Sequence, residues 1–328
     1  IMKHSEVLQA VHTCMSADVP LLIHGKPGVG KSALVKSVAA EYKMELRDIR
    51  AALLDPVDVM GVPVPDRETR ETNWFTPELW PSKGKGILFL DELPQATVAV
   101  QKALSQLVLD RTIGTSYKLP KGWKILAAGN YTTDRAGAGE LLSQMKNRFI
   151  HVDYESDMTE WINYALKANI MPEIIAFIRY RPELLHDMDV TKNAFPTPRS
   201  WEFASDILKA KPSREIEYQL LIGTIGEGAA AELLGFLKIF RTLPDPDHIL
   251  LDPMNAEVPE DPATLYALTG ALASRASESN FERIVQYSKR IKPEFSVLMV
   301  RDSVTKCPEA TKTIAFVNWA SENHKVII

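Results

Sequence analysis

The sequence has little of several features that mark specialised protein classes. Its 328 residues include only two cysteines, Cys14 and Cys307, which are far apart and lack metal-ligand spacing. This excludes a disulfide scaffold and a cysteine metal site, and it predicts a cytoplasmic protein with free thiols. No apolar run is long enough to cross a bilayer, and the first residues lack a signal-peptide core. We therefore expect no membrane association.

Neither sign of charge is in large excess, since 38 Lys and Arg accompany 42 Asp and Glu, a formal net charge of −4. The chain as a whole therefore lacks the electrostatic signature of a nucleic-acid-binding protein, although a local basic groove is compatible with an acidic total. Internal repeats and low-complexity segments are also missing. The length allows two domains, or one domain with a helical appendage.

A phosphate-binding loop is the strongest positive signal. It consists of a Gly, four residues and then Gly-Lys-Ser, between an apolar strand predicted at 19–23 and a predicted helix. The glycines let backbone N–H groups point at phosphate oxygens, Lys31 brings a positive charge to the β- and γ-phosphates, and Ser32 offers a hydroxyl to Mg²⁺. The helix N-terminus favours the anion. The predicted nucleotide-binding residues are Gly25, Lys26, Pro27, Gly28, Val29, Gly30, Lys31, Ser32 and Ala33.

Residues 1–153 alternate short apolar segments with helical ones. This alternation predicts a parallel sheet covered by helices on both faces, with ligands bound at the carboxyl ends of the strands. Two stretches interrupt the alternation as predicted hairpins, at 61–77 and 111–120. Further strands are predicted at 44–49, 87–90, 125–128 and 149–152.

From about residue 155 the apolar periodicity becomes helical. A proline-rich break at 243–253 interrupts it. We therefore expect three parts: an α/β nucleotide-binding domain at 1–153, a small helical domain at 154–243 and a helical extension at 244–328. Helices are predicted at 158–168, 172–179, 198–209, 229–240, 262–274, 280–289 and 303–319.

The apolar strand at 87–90 ends in two acids, Asp91 and Glu92. A buried strand of this kind brings its carboxylates to the edge of the sheet beside the phosphates. Asp91 would then hold Mg²⁺, mostly through water, and Glu92 would orient and polarise the attacking water. The alternative is a strand that ends in a solvated acidic turn, which the phosphate-binding loop upstream disfavours.

Two further residues follow or precede predicted strands. Asn130 follows the strand at 125–128, where its amide can contact the attacking water or a γ-phosphate oxygen; a turn Asn is the alternative. Arg148 precedes the strand at 149–152, and a guanidinium there can neutralise transition-state charge. The expected sheet order would keep Arg148 away from its own nucleotide, so it would serve a neighbouring subunit. Arg135 is a second candidate, and a solvated surface charge is the alternative for either arginine.

A later helix begins with an unusual charge. Thr197 is a predicted N-cap and Pro198 the first helical residue, which puts Arg199 in the first turn. A positive charge is unfavourable at this end of the helix dipole, so it indicates an anionic partner. The alternative is simple solvation.

Together these motifs resemble those of the AAA+ ATPases, and within them the MoxR-type group and its relatives with a hairpin inserted in helix 2. The resemblance identifies residues 25–32 as Walker A, Asp91 with Glu92 as Walker B, Asn130 as sensor 1, Arg148 as the arginine finger and Arg199 as sensor 2. It covers about residues 3–210, with the helix-2 insert at 61–77. Asn147 stands where Asp is commoner, and nothing is recognised beyond about residue 240.

The resemblance implies a P-loop NTPase fold, with a three-layer αβα parallel sheet, a helical lid and an α-helical C-terminal extension. It also implies ATP and Mg²⁺ as ligands, and a homo-oligomeric ring, expected to be a hexamer, with ATP at each interface. Such ATPases remodel proteins, often with a partner that has a von Willebrand factor A domain. Trp74 and Phe75 of the insert could then contact a client, or could instead pack at the base of the hairpin.

Two other functional classes stay open. The helix-2-insert branch includes nucleic-acid motors and motor subunits of nucleases, but the acidic total and the lack of a recognisable DNA-binding module speak against this reading. A nucleotide-gated scaffold that hardly hydrolyses ATP is the third hypothesis, and Glu92 speaks against it.

Overall fold

The computed structural model describes residues 1–131 and 139–323, so Arg135 lies outside the described residues. The chain forms two compact units, Ile1–Ser156 and Asp157–Ile328. The division of the helical part at residues 243 and 244 stays a prediction. In the part of the chain that is described, no helix has both the length and the apolar character that crossing a membrane requires.

The first unit is built on a five-stranded parallel sheet, whose strands lie in the order β2 (Glu45–Arg50), β5 (Lys85–Asp91), β8 (Gly122–Gly129), β1 (Leu21–His24) and β9 (Ile150–Asp153). Each predicted strand is present, with ends within three residues of the predicted ones. The strands of this unit, including two small hairpins, are β1 (Leu21–His24), β2 (Glu45–Arg50), β3 (Val62–Pro65), β4 (Thr72–Phe75), β5 (Lys85–Asp91), β6 (Thr112–Ile113), β7 (Tyr117–Lys118), β8 (Gly122–Gly129) and β9 (Ile150–Asp153).

Helices cover both faces of the sheet. Because side chains alternate along a strand, Leu21 and Ile23 of β1 pack with one group of helices, while Leu22 packs with another. This explains why the central strands are apolar almost throughout, and it confirms the predicted three-layer fold. The helices are α1 (His4–Ala17) and α2 (Lys31–Glu41) on the first face, and on the second α3 (Pro56–Met60), α4 (Val98–Asp110) and α5 (Ser143–Lys146).

The order of the strands decides what meets at the edge of the sheet. Strand β8 lies between β1 and β5, with His24 paired to Gly129 and Leu90 paired to Ala127. The residue after β8 is Asn130, so it emerges between the phosphate-binding loop after β1 and the acids that end β5.

Both predicted hairpins are present. Strands β3 and β4 pair antiparallel, and β6 pairs with β7 across a turn that contains Gly114. Trp74 and Phe75 on β4 are exposed, Phe75 by 65%, so neither is buried at the hairpin base.

The second unit is helical. Its largest core gathers apolar residues of α6, α7, α8, α9 and α10, and a second core lies among the later helices. The bounds are α6 (Met158–Lys167), α7 (Pro172–Tyr180), α8 (Pro198–Lys209), α9 (Arg214–Ile225), α10 (Glu227–Thr242), α11 (Pro246–Leu251), α12 (Pro262–Ser274), α13 (Phe281–Ser288), α14 (Pro293–Lys306) and α15 (Ile314–Glu322).

One predicted helix of this unit is wrong. The segment 303–319 is not continuous, because α14 ends at Lys306, a short 3₁₀ turn follows at Pro308–Lys312, and α15 begins at Ile314. Proline has no N–H to donate and disfavours a helical residue before it, so Pro308 ends α14.

Candidate active site

The phosphate-binding loop connects β1 to α2. Gly30 is the N-cap of α2 and has φ +103°, a left-handed conformation that costs a residue with a Cβ free energy. Glycine has no side chain that could accept a hydrogen bond from the first N–H groups of the helix. Those N–H groups also have no acceptor within the helix itself. The helix N-terminus therefore offers backbone donors and a positive dipole to an anion.

Lys31 begins α2 and is only 8% exposed. Its Nζ donates to the backbone oxygens of Gly25 and Lys26, at 2.5 and 3.1 Å, and to Oδ1 of Asn130 at 2.9 Å. A nearly buried ammonium is held by oxygens because its desolvation is otherwise costly. The charge thus lies inside the curl of the loop and within reach of the residue after β8.

Ser32 and Asp91 meet across the edge of the sheet, where the Ser32 hydroxyl donates to Oδ2 of Asp91 at 2.7 Å. Hydroxyl and carboxylate oxygens are hard ligands of the kind that Mg²⁺ takes, and neighbouring ligands of an octahedral shell at about 2.1 Å lie about 3 Å apart. Among the described residues no group of three His, Cys, Asp or Glu could form a protein-only metal cage. The pair therefore fits a Mg²⁺ ion that keeps water and phosphate ligands.

Glu92 follows Asp91 in an uncommon conformation. Its φ and ψ are 56° and 33°, in the left-handed region, and its N–H donates to Oδ1 of Asp91 at 2.9 Å. A residue other than glycine in this region costs about 1–3 kcal/mol, and such residues cluster at functional sites. Glu92 therefore leads from the carboxyl end of β5 into a 3₁₀ turn, next to the Ser32–Asp91 pair.

Arg148 is not brought to this edge. It lies just before β9, at the amino end of that strand, and β9 spans about 13 Å. Its Nη1 donates to the backbone oxygen of Ser105 on α4 at 2.8 Å. The structure therefore groups Lys31, Ser32 and Asp91 with Asn130, and it leaves Arg148 at the opposite edge of its own sheet.

Arg199 belongs to the second unit, in the first turn of α8. It is exposed; burial raises the pKa of the nearby Glu202 carboxyl, and the charge of Arg199 opposes that shift. Thr197 is the N-cap, as predicted, and its hydroxyl accepts from the Ser200 N–H at 3.0 Å. The role of Arg199 stays a prediction.

A pair of histidines beside the loop was not anticipated. His24, at the end of β1, stacks on His151 of β9 and lies 2.8 Å from it, Nε2 to Nδ1. His151 Nε2 faces the Lys146 carbonyl oxygen at 2.6 Å, and a carbonyl only accepts. His151 therefore donates from Nε2, and its Nδ1 accepts from His24 in the neutral pair.

The pH dependence of stability should report on His24. Burial lowers the pKa of His24, as does the nearby His151, while Asp153 opposes the shift. The folded state therefore binds a proton on His24 less readily than the unfolded state, so stability is lost as pH falls through about 6.5, the ordinary histidine value.

We expect the free energy of unfolding by urea to fall between pH 7.5 and pH 5.5, and to fall less in His24→Gln, which cannot titrate. His248→Gln, at an exposed position, is the matched control for the exchange of histidine for glutamine. Equal pH dependence in His24→Gln and the unaltered chain would contradict the lowered pKa.

Two further residues contact the segments that form the site. Tyr154 is buried, its N–H donates to the His24 carbonyl at 2.7 Å, and its hydroxyl lies 2.9 Å from Nδ1 of His4. Gln95 lies between Glu92 and Asn130. No local pattern marks either residue, because both contacts depend on the order of the strands.

Part of the first unit matches a known protein family. The family model described as "ATPase family associated with various cellular activities (AAA)" matches residues 20–151. A mutant of RuvB from Thermotoga maritima is 16% identical over 83% of each chain, with a TM-score of 0.44. NtrX from Brucella abortus in complex with ADP is 12% identical over 99% of this chain and 68% of that chain, with a TM-score of 0.46. The residues matched by the family model include the phosphate-binding loop, both acids, Asn130 and Arg148.

Proposed function

We propose that this chain, an ATPase with an AAA-type module at residues 20–151, is a MoxR-like enzyme that works as a ring of identical subunits and remodels a protein client. The reaction is ATP plus water to ADP and phosphate. The position of Arg148, at the edge of the sheet opposite the phosphate-binding loop, carries the proposal. A site that uses this arginine must take it from a neighbouring subunit.

The roles within one subunit follow from the contacts at the sheet edge. Lys31 would leave its backbone oxygens for the β- and γ-phosphates, and Ser32 and Asp91 would hold Mg²⁺. When bound, the ion neutralises charge on the phosphate oxygens. Glu92 would orient the attacking water, and Asn130 would contact the γ-phosphate or that water. No covalent intermediate is needed, because phosphoryl transfer depends on positioning and charge stabilisation.

A protein client is supported by the exposed β3–β4 hairpin. Its stem carries the exposed side chains of Val62, Trp74 and Phe75. Exposed aromatic residues are typical anchors of protein interfaces. In a ring, such hairpins would contact a client, which a partner with a von Willebrand factor A domain would help to select. Nucleotide-driven motion of Arg199 in the second unit would couple hydrolysis to remodelling.

Glu92→Gln should bind Mg·ATP with unchanged affinity and hydrolyse it at least about a hundredfold more slowly, because the amide cannot polarise water. Held with ATP, the variant should elute as a closed oligomer and retain a client protein in a pull-down. Lys31→Ala/Glu92→Gln is the negative control, since it lacks the phosphate-binding ammonium.

Two further variants test the client surface. Trp74→Ser/Phe75→Ser should lose ATP-dependent capture, while Phe203→Ser, at an exposed position of the second unit, should keep it. Wild-type turnover by Glu92→Gln would refute the proposed role of Glu92. DNA binding that weakens with salt and stimulates turnover would instead indicate a nucleic-acid motor.

A further inference from the structure

The turn after Glu92 is tied closely to the end of β8. Residues Leu93–Gln95 form one 3₁₀ turn, in which the Gln95 N–H donates to the Glu92 carbonyl at 3.0 Å. The ring of Pro94 lies against Gly129, where an added Cβ would come within 2.5 Å of it. Only glycine allows this approach, so the turn and the strand that precedes Asn130 are packed as one piece.

The side-chain amide of Gln95 bridges the two proposed catalytic residues. The Glu92 carbonyl can only accept, and the Asn130 N–H can only donate, so their chemistry fixes the orientation of the amide between them. Gln95 Nε2 then donates to the Glu92 carbonyl at 3.0 Å. Its Oε1 accepts from the backbone N and from Nδ2 of Asn130, both at 3.2 Å.

This bridge also orients the amide of Asn130. Oδ1 of Asn130 accepts from Lys31 Nζ at 2.9 Å, while Nδ2 faces Gln95. An amide nitrogen carries two hydrogens, and Gln95 takes one of them. The second can then be given to a γ-phosphate oxygen or to the attacking water without any rotation of the side chain.

We infer that Gln95 is a positioning residue for ATP hydrolysis, which holds Asn130 and the Glu92 peptide in one frame. The inference rests on the proposed roles of Glu92 and Asn130. Because a misplacement of about 1 Å can cost about a hundredfold in rate, Gln95→Met should lower kcat about 10- to 100-fold. KM should stay within about threefold, since the hydrogen bonds of the Gln95 amide go to Glu92 and Asn130, outside the phosphate-binding loop.

A double-mutant cycle separates positioning from stability. If Gln95 acts through Asn130, then Gln95→Met/Asn130→Ala should have a kcat within about threefold of Asn130→Ala alone. The matched control is Gln101→Met. Gln101 is 1% exposed and donates to the carbonyls of Pro94, Ala96 and Glu140, and none of its hydrogen bonds among the described residues goes to Glu92 or Asn130. Gln101→Met should lower Tm, and the effect of Gln101→Met on kcat should multiply with that of Asn130→Ala.

Binding gives a readout that does not depend on turnover. In the Glu92→Gln background, Gln95→Met should keep its affinity for Mg·ATP within about threefold, measured by titration with the fluorescent analogue mant-ATP. Three results would overturn the inference and leave the proposed function standing. They are a wild-type kcat in Gln95→Met, a loss of kcat that multiplies with that of Asn130→Ala, and a loss of affinity for Mg·ATP in Gln95→Met. Wild-type turnover by Asn130→Ala would overturn the proposed role of Asn130, and the inference with it.

Discussion

Replacing Arg148 with alanine should lower ATP turnover about a thousandfold or more, with Mg·ATP affinity close to that of the unaltered chain. An arginine that neutralises the transferring phosphoryl group is worth about 10³–10⁵ in rate. Binding should survive because Arg148 lies at the amino end of β9, whereas Lys31 and Ser32 lie at the carboxyl end of β1. The loss should therefore be in kcat, with little change in KM.

Mixing two inactive variants tests whether the arginine acts between subunits. Arg148→Ala subunits keep a complete phosphate-binding loop, and Lys31→Ala subunits keep the arginine. In a mixed ring, a Lys31→Ala subunit can complete the site of an Arg148→Ala neighbour. Phosphate release should therefore appear on mixing, reach a maximum at an intermediate ratio and disappear at either extreme.

Arg148→Lys separates this role from the local one. The Arg148 guanidinium also donates to the Ser105 carbonyl, so its removal loosens the packing on α4. Lysine can keep that single bond but lacks the planar fork that matches phosphate oxygens. The Lys variant should melt like the unaltered chain and remain severely slowed. Recovery of turnover in Arg148→Lys, or no recovery at any mixing ratio, would argue against a guanidinium acting in trans.

The sequence predicts the parts of the site that are local. The spacing of the phosphate-binding loop and the two acids at the end of β5 were sufficient to bring Ser32 and Asp91 together, because parallel strands end at a common edge. The same reasoning put Asn130 at that edge. Asp91 ends its strand and Asn130 follows its strand directly, while Ser32 lies where the phosphate-binding loop becomes a helix, so these positions need only the strand assignment and the loop motif.

Contacts between distant segments could not be predicted from the sequence. His151 and Tyr154 reach the site because β9 flanks β1, and Gln95 reaches Asn130 because β8 flanks β5; strand order has no local sequence signal. The left-handed conformation of Glu92 was equally hidden, since no glycine or asparagine marks the turn. In the helical unit, the break at Pro308 was predictable from proline chemistry, whereas helical periodicity alone favoured a continuous helix.

The second unit should lose about 3–5 kcal/mol of stability when Asp302 is replaced by alanine. Asp302 on α14 and Arg179 on α7 form a two-bond ion pair, with Nη2 donating to Oδ1 at 2.6 Å and Nη1 donating to Oδ2. The side chains are 3% and 4% exposed. Removing the carboxylate leaves a buried guanidinium without its partner, which is the costly way to break a buried ion pair.

Urea unfolding of the full chain, followed by far-UV circular dichroism, measures this effect. Glu183→Ala is the surface control, because Glu183 pairs with the half-exposed Arg181, and such pairs contribute about 0–1 kcal/mol. Arg179→Met/Asp302→Leu should recover most of the loss, since apolar side chains of similar volume avoid the desolvation of two charges. A cost for Asp302→Ala no larger than that for Glu183→Ala would mean that the pair is hydrated in solution. If the double variant is instead as unstable as Asp302→Ala, the ion pair itself stabilises the packing of α7 on α14. The loss in Asp302→Ala would then not come only from leaving a buried charge unpaired.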